Sequence, residues 1–201
     1  SPLHESNAEK ERIEVRRRRK TSLVLVVVGV LVVLVYAVAA RSGGIAAVST
    51  SKVKYNNYSY QDVSLKVSLP ETTHVTEDYY SSGEMLLNSY LCDDKLNYHG
   101  YIQIWNIEDP EEFIEKSKLN STFRFTSFEH KKFTHDSYSG FVATWTAKLQ
   151  DSGDIAGKDY LLQKKGKDDQ FLRISLTVNE AVFPEKLAKV EETIISSLEW
   201  K

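Results

Sequence analysis

Residues 63–70, VSLKVSLP, decide the fold of the larger part of this chain. Valine or leucine occupies every odd position from 63 to 69, and serine or lysine occupies the even positions between them. An alternation of period two places all the apolar side chains on one side of an extended segment. Pro70 then ends the pattern. The stretch predicts a half-buried β-strand whose apolar side faces a core.

Similar strand-like runs follow along the chain. They lie at residues 85–92, 98–107, 123–133, 138–149, 158–165 and 171–178. Turn-forming residues mark hairpins at Asp93-Asp94-Lys95, Asp136-Ser137, Asp151-Ser152-Gly153, Gly157-Lys158-Asp159 and Gly166-Lys167-Asp168. Residues 71–80 fit a short helix or a loop. Strands joined by tight turns predict an antiparallel sheet.

Two helices are predicted to cover this sheet. The first begins at Asp109 as the N-cap, with Pro110 in the first helical position and Glu112 completing a capping box, and extends to about Leu119. Its core-facing residues are predicted to be Phe113 and Ile114. The second opens at Pro184 and carries apolar residues at helical spacing, namely Leu187, Val190, Ile194 and Leu198. The predicted fold class is α+β, an antiparallel sheet covered by two helices.

A membrane span is predicted ahead of this domain at residues 21–40, TSLVLVVVGVLVVLVYAVAA. Twenty helical residues cover roughly 30 Å, the hydrocarbon thickness of a bilayer. The basic run 16–20 precedes the span, so the positive-inside rule places the N-terminal side in the cytoplasm. A signal peptide cleaved after Ala37-Val38-Ala39 is the alternative, but its apolar region would be unusually long.

The chain therefore divides into a cytoplasmic basic tail at 1–20, a transmembrane helix at 21–40, a linker at 41–52 and an extracytoplasmic domain at 53–201. We expect a single-pass protein of the cell membrane whose domain folds alone. Residues 53–201 hold seventeen Lys and Arg against twenty-four Asp and Glu, a net charge of −7. An acidic domain argues against nucleic acid as a partner, because that would need a basic face.

Two stretches of the outer domain resemble the PsbP/Mog1-type family. They are residues 60–70, YQDVSLKVSLP, and residues 194–201, IISSLEWK. That family opens with an aromatic-led strand ending in proline and closes with a helix that runs into a serine-serine-aromatic ending. The P-x-x-W motif usual after the first strands is absent, because Pro70 is followed by Glu71-Thr72-Thr73. The resemblance implies a non-catalytic binding or assembly protein and carries over no catalytic residues.

The functional expectation is a membrane-anchored binding or assembly module without catalytic activity or a cofactor, held in the bilayer by residues 21–40 and acting on a protein or cell-surface partner. One alternative is a scaffold of a membrane complex with an NTF2-like domain, although that fold begins with helices. The other is a metal-dependent enzyme. His130 and His135 are the candidate ligands for it, but their spacing puts them on opposite faces of a strand, so they need a partner such as His99.

Tyrosines are the most distinctive candidate binding surface. The group comprises Tyr55, Tyr58, Tyr60, Tyr79 and Tyr80, with Tyr90 as a further member. Alternating tyrosines of a strand share one side, where they form either a binding platform or part of the sheet packing. The single cysteine, Cys92, is predicted to be a small buried residue. Asn57-Tyr58-Ser59 and Asn120-Ser121-Thr122 are glycosylation sequons, which matter only in a eukaryotic host.

Overall fold

The structure is a computed structural model that describes residues 52–81, 83–149 and 153–201. Its elements in chain order are β1 (Tyr55–Tyr60), β2 (Leu65–Pro70), β3 (His74–Tyr79), β4 (Met85–Asp93), β5 (Tyr98–Trp105), α1 (Pro110–Leu119), β6 (Arg124–His135), β7 (Tyr138–Leu149), β8 (Gly153–Lys164), β9 (Phe171–Val178), α2 (Ala188–Ser196) and β10 (Glu199–Trp200). The predicted α+β class, with antiparallel strands and two helices, is confirmed.

The strands form two antiparallel sheets instead of the single sheet that was predicted. One has three strands in the order β1-β2-β10, and the other has seven in the order β3-β4-β5-β9-β8-β7-β6. Alternation along a strand shows that one side is buried but carries no information on which strand is its neighbour. The hydrophobic pattern of the sequence therefore could not show that the strands divide into two sheets.

The strand predicted at residues 63–70 begins two residues later than expected. Gln61–Val63 forms a short 3-10 turn after β1, and Ser64 adopts the left-handed conformation with φ of 52°. A single residue in this conformation is enough to reverse the chain. Because that residue is a serine, no glycine in the sequence indicated a turn here. The side chains of Leu65, Val67 and Leu69 are buried, as the alternation predicted.

The two faces of the seven-stranded sheet are most easily described on β9, whose alternate residues point to opposite faces. We call the face that carries Leu172, Ile174, Leu176 and Val178 the sandwich face, because these residues share one core with β1, β2, β10 and α2. All four apolar positions predicted for the second helix, Leu187, Val190, Ile194 and Leu198, are buried in this core. The sandwich face is thus closed by a second sheet and a helix.

One ion pair fastens α2 to the sandwich face. Glu191 is buried in the first turn of α2. Lys158 Nζ on β8 lies 3.0 and 3.1 Å from its two carboxylate oxygens. The hydroxyl of Tyr160 donates a further hydrogen bond to Glu191. Burial raises the pKa of Glu191, while its hydrogen bond and charge interaction with Lys158 act in the opposite direction. The helix is therefore held by a charged contact as well as by apolar packing.

We call the opposite face of the seven-stranded sheet the cleft face; on β9 it carries Phe171, Arg173, Ser175 and Thr177. Helix α1 packs on this face through Phe113 and Ile114, next to Trp105 and Phe171. The predicted N-cap is confirmed, since Asp109 Oδ1 accepts hydrogen bonds from the backbone N–H groups of Glu111 and Glu112, each at 3.0 Å. The side chain of Glu112 pairs with Lys116 one turn later.

Three local predictions are corrected. Residues 74–79 form the edge strand β3, because pairing with β4 outweighs a weak local preference. Gly157-Lys158-Asp159 is no turn but lies within β8, where a Cβ on Gly157 would come within 2.3 Å of the Trp145 ring. The last helix is shorter than predicted: α2 spans Ala188–Ser196, so Leu187 lies in the 3-10 turn before it and Leu198 lies beyond its end, next to β10.

The predicted tail, the membrane span and the linker up to residue 51 lie outside the described residues, as do Asp151 and Ser152 of one predicted turn. Among the residues that the structure does describe, no helix is long and apolar enough to cross a membrane.

Candidate functional site

The tyrosines predicted to form a surface are divided among several environments. Tyr60 is fully buried in the sandwich core, where its hydroxyl lies 2.8 Å from Ser89 Oγ on β4. This hydrogen bond joins the two sheets. The prediction that Tyr60 contributes to an exposed surface is therefore wrong. Its ring still supports Tyr58, whose centroid is 4.9 Å away.

Tyr58 and Tyr79 meet at one carboxylate where the edge strands β1 and β3 come together. Tyr79 donates a hydrogen bond of 3.0 Å to Glu77 Oε2, and Tyr58 also hydrogen-bonds to Glu77. Burial, followed by the interaction with Glu77, raises the pKa of both phenols. Both hydroxyls therefore stay protonated at physiological pH and remain hydrogen-bond donors.

Tyr80 follows directly at the end of β3 and has 42% of its surface exposed, which makes it one of few large exposed apolar side chains among the described residues. We call Tyr58, Glu77, Tyr79 and Tyr80 the tyrosine edge. Within the described residues, β1 pairs only with β2 and β3 only with β4, so each strand leaves one side without a strand neighbour. The tyrosine edge thus combines phenol groups, a carboxylate and edge strands.

Tyr55 and Tyr90 do not belong to this group. Tyr55 is half-buried at the start of β1, opposite Pro70, and its hydroxyl has no hydrogen-bond partner among the described residues. Tyr90 is on the cleft face, where its hydroxyl lies 2.7 Å from His99 Nδ1. Of the six predicted tyrosines, three therefore remain as a contiguous candidate surface.

The histidines do not come together. His130 is paired with Ala143 on the cleft face and His135 with Tyr138 on the sandwich face, so their predicted placement on opposite sides of a strand is confirmed. His130 instead lies 3.6 Å from Glu111 and 3.7 Å from Glu115 of α1. His99 is on β5, with three strands between it and β6. No group of three His, Cys, Asp or Glu side chains in the described parts of the chain is arranged to hold a metal ion.

A row of buried polar side chains crosses the cleft face, and sequence analysis did not find it. Arg173 lies 3.4 Å from both oxygens of Asp159, and Asp159 Oδ2 also accepts a 3.2 Å hydrogen bond from Trp145 Nε1. Gln103 accepts from Trp105 Nε1 at 3.1 Å and lies 3.4 Å from Arg173 Nη1. A charged residue in a buried strand needs such partners.

One signal in the sequence could have revealed this row. Arg173 is the single charged residue in FLRISLTV, residues 171–178, and every residue of that strand is buried. A strand of this kind is typical of the centre of a sheet covered on both sides. An arginine there has to find an acceptor. Asp159, its partner, was assigned to a turn and so was not considered as a buried carboxylate.

Two other predicted features are located by the structure. Cys92 is buried, as predicted, and its Sγ lies 3.6 Å from Asp94 Oδ1. Of the two sequon asparagines, Asn57 is exposed on β1, whereas Asn120 donates its side-chain amide to the Lys116 carbonyl at the end of α1. Of the two sequon asparagines, only Asn57 has a side chain that is not engaged in capping a helix.

The comparisons with known proteins include a structural likeness. The chain matches no family model, and no curated protein matches it. Among solved structures, it is similar to cyanobacterial PsbP (CyanoP) from Synechocystis sp. PCC 6803, with a TM-score of 0.48 and 10% identity over 80% of this chain and 99% of that one. That protein bears the name of the family resemblance noted in the sequence. At this TM-score the likeness carries no argument about function.

Proposed function

We propose that this chain is a single-pass, membrane-anchored protein whose extracytoplasmic domain binds or assembles with another protein without catalysing a reaction. The tyrosine edge is the observation that carries the proposal. In it, Tyr58 and Tyr79 share the carboxylate of Glu77, and Tyr80 is exposed beside them. Tyrosine is enriched at protein interfaces because it combines a large apolar ring with a hydroxyl that can hydrogen-bond.

Edge strands favour a protein partner over a small ligand. The free side of an edge strand offers backbone N–H and C=O groups that an extended segment of another protein can pair with. The acidic balance of residues 53–201, net −7, together with Glu77 at the tyrosine edge, favours a partner with a basic surface. Complementary charge would speed association and select the partner.

The anchored topology is tested by cysteine labelling. Cys92 is buried, so Cys92→Ser removes the natural thiol, and Val182→Cys then adds one at a position that is 71% exposed. A membrane-impermeant maleimide should label Val182→Cys on intact cells. A cysteine at Ser6, in the predicted tail, should be labelled only after the membrane is opened. Labelling of Ser6→Cys on intact cells, or protection of Val182→Cys, would contradict the proposed topology.

The binding role is tested by photo-crosslinking in the native membrane. A photoreactive amino acid at Tyr80 should give one discrete crosslinked product that is lost when Tyr58 and Tyr79 are both changed to Ala. The matched control places the same group at Leu119, which is 81% exposed on α1. Equal products from both positions, or products that survive the double change, would mean that the tyrosine edge is not the interface.

A further inference from the structure

The strand β6 forms one edge of the seven-stranded sheet. Among the described residues it pairs only with β7, so one side of its backbone has no strand neighbour there. The pairing with β7 has a bulge between Phe125 and Ser127 and is then regular as far as His135. Every residue of β6 is at least partly exposed. A regular edge of this length offers backbone N–H and C=O groups to a further strand.

Alternate residues of β6 point to opposite faces of the sheet. The odd-numbered positions of the regular segment lie on the sandwich face, as the contact between the rings of Phe133 and Tyr160 shows. Glu129 and Lys131 therefore share that face. The even-numbered positions lie on the cleft face, and they include Phe128, His130 and Lys132.

A second copy of β6 fits this edge in one antiparallel register. Only every second residue points its N–H and C=O groups outward, so odd-numbered residues must face odd-numbered ones. A two-fold axis through His130 meets this condition and pairs residues 127–133 of each copy. It sets Glu129 of each copy opposite Lys131 of the other. An axis through Glu129, Lys131 or Lys132 would place like charges opposite each other, and an axis nearer either end would pair fewer residues.

Two acidic residues of α1 add to this complementarity on the cleft face. Glu111 and Glu115 lie 3.6 and 3.7 Å from the ring nitrogens of His130. With the axis at His130, Lys132 of the second copy lies on the same face beside it, where these carboxylates offset its charge. The net charge of −7 over residues 53–201 makes two copies repel elsewhere, so a contact is favoured where acidic and basic residues alternate.

We propose that two copies of this chain associate through β6, which joins their seven-stranded sheets across a two-fold axis at His130. The contact is a single pair of strands, so the dimer is weak and depends on concentration. Five strands separate β6 from β3 in the sheet, so the dimer leaves the tyrosine edge free. The proposal does not depend on the protein partner proposed above.

The register is tested by disulfide crosslinking of the full chain in a mild detergent, with Cys92→Ser as the background. His130→Cys faces its own copy at a Cα–Cα distance of about 4.5–5.5 Å, which a disulfide can bridge, so mild oxidation should give a covalent dimer. Lys132→Cys is the matched control on the same face. Its two copies lie about 14 Å apart and should not crosslink. No dimer from His130→Cys, or an equal yield from Lys132→Cys, would overturn the proposal.

The charge pairing is tested by analytical ultracentrifugation of the full chain over a series of concentrations. Lys131→Glu places two carboxylates opposite each other at two points and should weaken the dimer about tenfold or more. Adding Glu129→Lys restores opposite charges, so the double change should associate like the unaltered chain. Lys95→Glu makes the same change of charge at an exposed turn residue and should have no effect. Circular dichroism checks that each variant is folded.

Three results would refute the contact. Lysines at a sheet edge can serve only to prevent aggregation, in which case the unaltered chain would stay monomeric. A dimer that Lys131→Glu leaves intact would be held elsewhere, for example through residues 21–40. A folded double variant that does not recover association would show that Glu129 and Lys131 do not face each other.

Discussion

The two faces of the seven-stranded sheet are built by different means. On the sandwich face, Leu172, Ile174 and Leu176 meet a second sheet and a helix in one apolar core. On the cleft face, the alternate positions of the same strand carry Arg173, Ser175 and Thr177, and one ten-residue helix covers part of them. The difference teaches that one strand can stabilise the domain through one side while it carries buried polar groups on the other.

The largest expected effect is on the sandwich face. Changing Leu198 and Trp200 together to Ala should lower the free energy of unfolding by about 5 kcal/mol or more, because both side chains are buried in the shared core. Urea unfolding of residues 52–201, followed by circular dichroism, measures it. Leu119→Ala, at an exposed position, should change stability by less than about 0.5 kcal/mol. A small loss from the double change would show that β10 is dispensable.

The second prediction concerns the buried ion pair of the cleft face. Asp159→Ala should cost about 3 kcal/mol, because Arg173 is then buried without a counter-charge. Changing the pair to Asp159→Leu and Arg173→Met together should cost less than Asp159→Ala alone, because no buried charge remains. Urea unfolding compares the two proteins. If the double change cost more than the single one, the pair would be a main source of stability and the contrast between the faces would fail.

A smaller effect is expected at the N-cap of α1. Asp109→Ala should cost about 1 kcal/mol, because the N–H groups of Glu111 and Glu112 lose their acceptor. Since α1 covers part of the cleft face, hydrogen exchange should also increase in the first turn of this helix and not in α2. The control is Asp169→Ala, at an exposed position in a turn. Equal exchange in both helices would show that α1 is not the more weakly held element.

The smallest effect is a pH dependence at Glu191. The pKa of this residue is raised in the folded state, so the folded protein favours the protonated carboxyl. The resulting stabilisation is fully present below the unfolded-state pKa of 4.5 and is lost as pH rises through the folded-state pKa. The stability of the unaltered protein relative to Glu191→Gln should therefore fall as pH rises towards neutrality. Unfolding curves at a series of pH values measure it.

The matched control for that measurement is the neighbouring Glu192. It is exposed, and its hydrogen bond with Lys189 lowers its pKa. The corresponding comparison with Glu192→Gln should show the opposite slope, since stability is then lost as pH falls. The same slope for both residues would mean that Lys158 outweighs the burial of Glu191.

Sequence alone was informative wherever structure depends on neighbours along the chain. Asp109 and Pro110 located the start of α1 because a cap acts within one turn, and the burial of Val190 and Ile194 on one side of α2 followed from helical spacing. The pairing of β10 with β2, by contrast, joins residues more than a hundred positions apart. No local pattern encodes such a contact, so β10 was not predicted.

The candidate sites show the same limit. The tyrosines were conspicuous in the sequence, but whether each is buried depends on which sheet packs above it, and Tyr60 was misplaced for that reason. The buried polar row of the cleft face was not predicted, because its charged residues lie on different strands and become neighbours only in the folded sheet. Arg173 in an apolar run was the one local sign of it.

The central strand of the smaller sheet has consequences for how the domain is made. Strand β2 finds its first neighbour, β1, within a few residues, but its backbone is also bound by Ser197, 129 positions further along the chain. During synthesis, one side of β2 therefore stays without its neighbour until almost the whole domain has been made. Closing contacts over such a distance is slow. We infer that the newly made chain depends on protection from aggregation for longer than its stable end state would indicate.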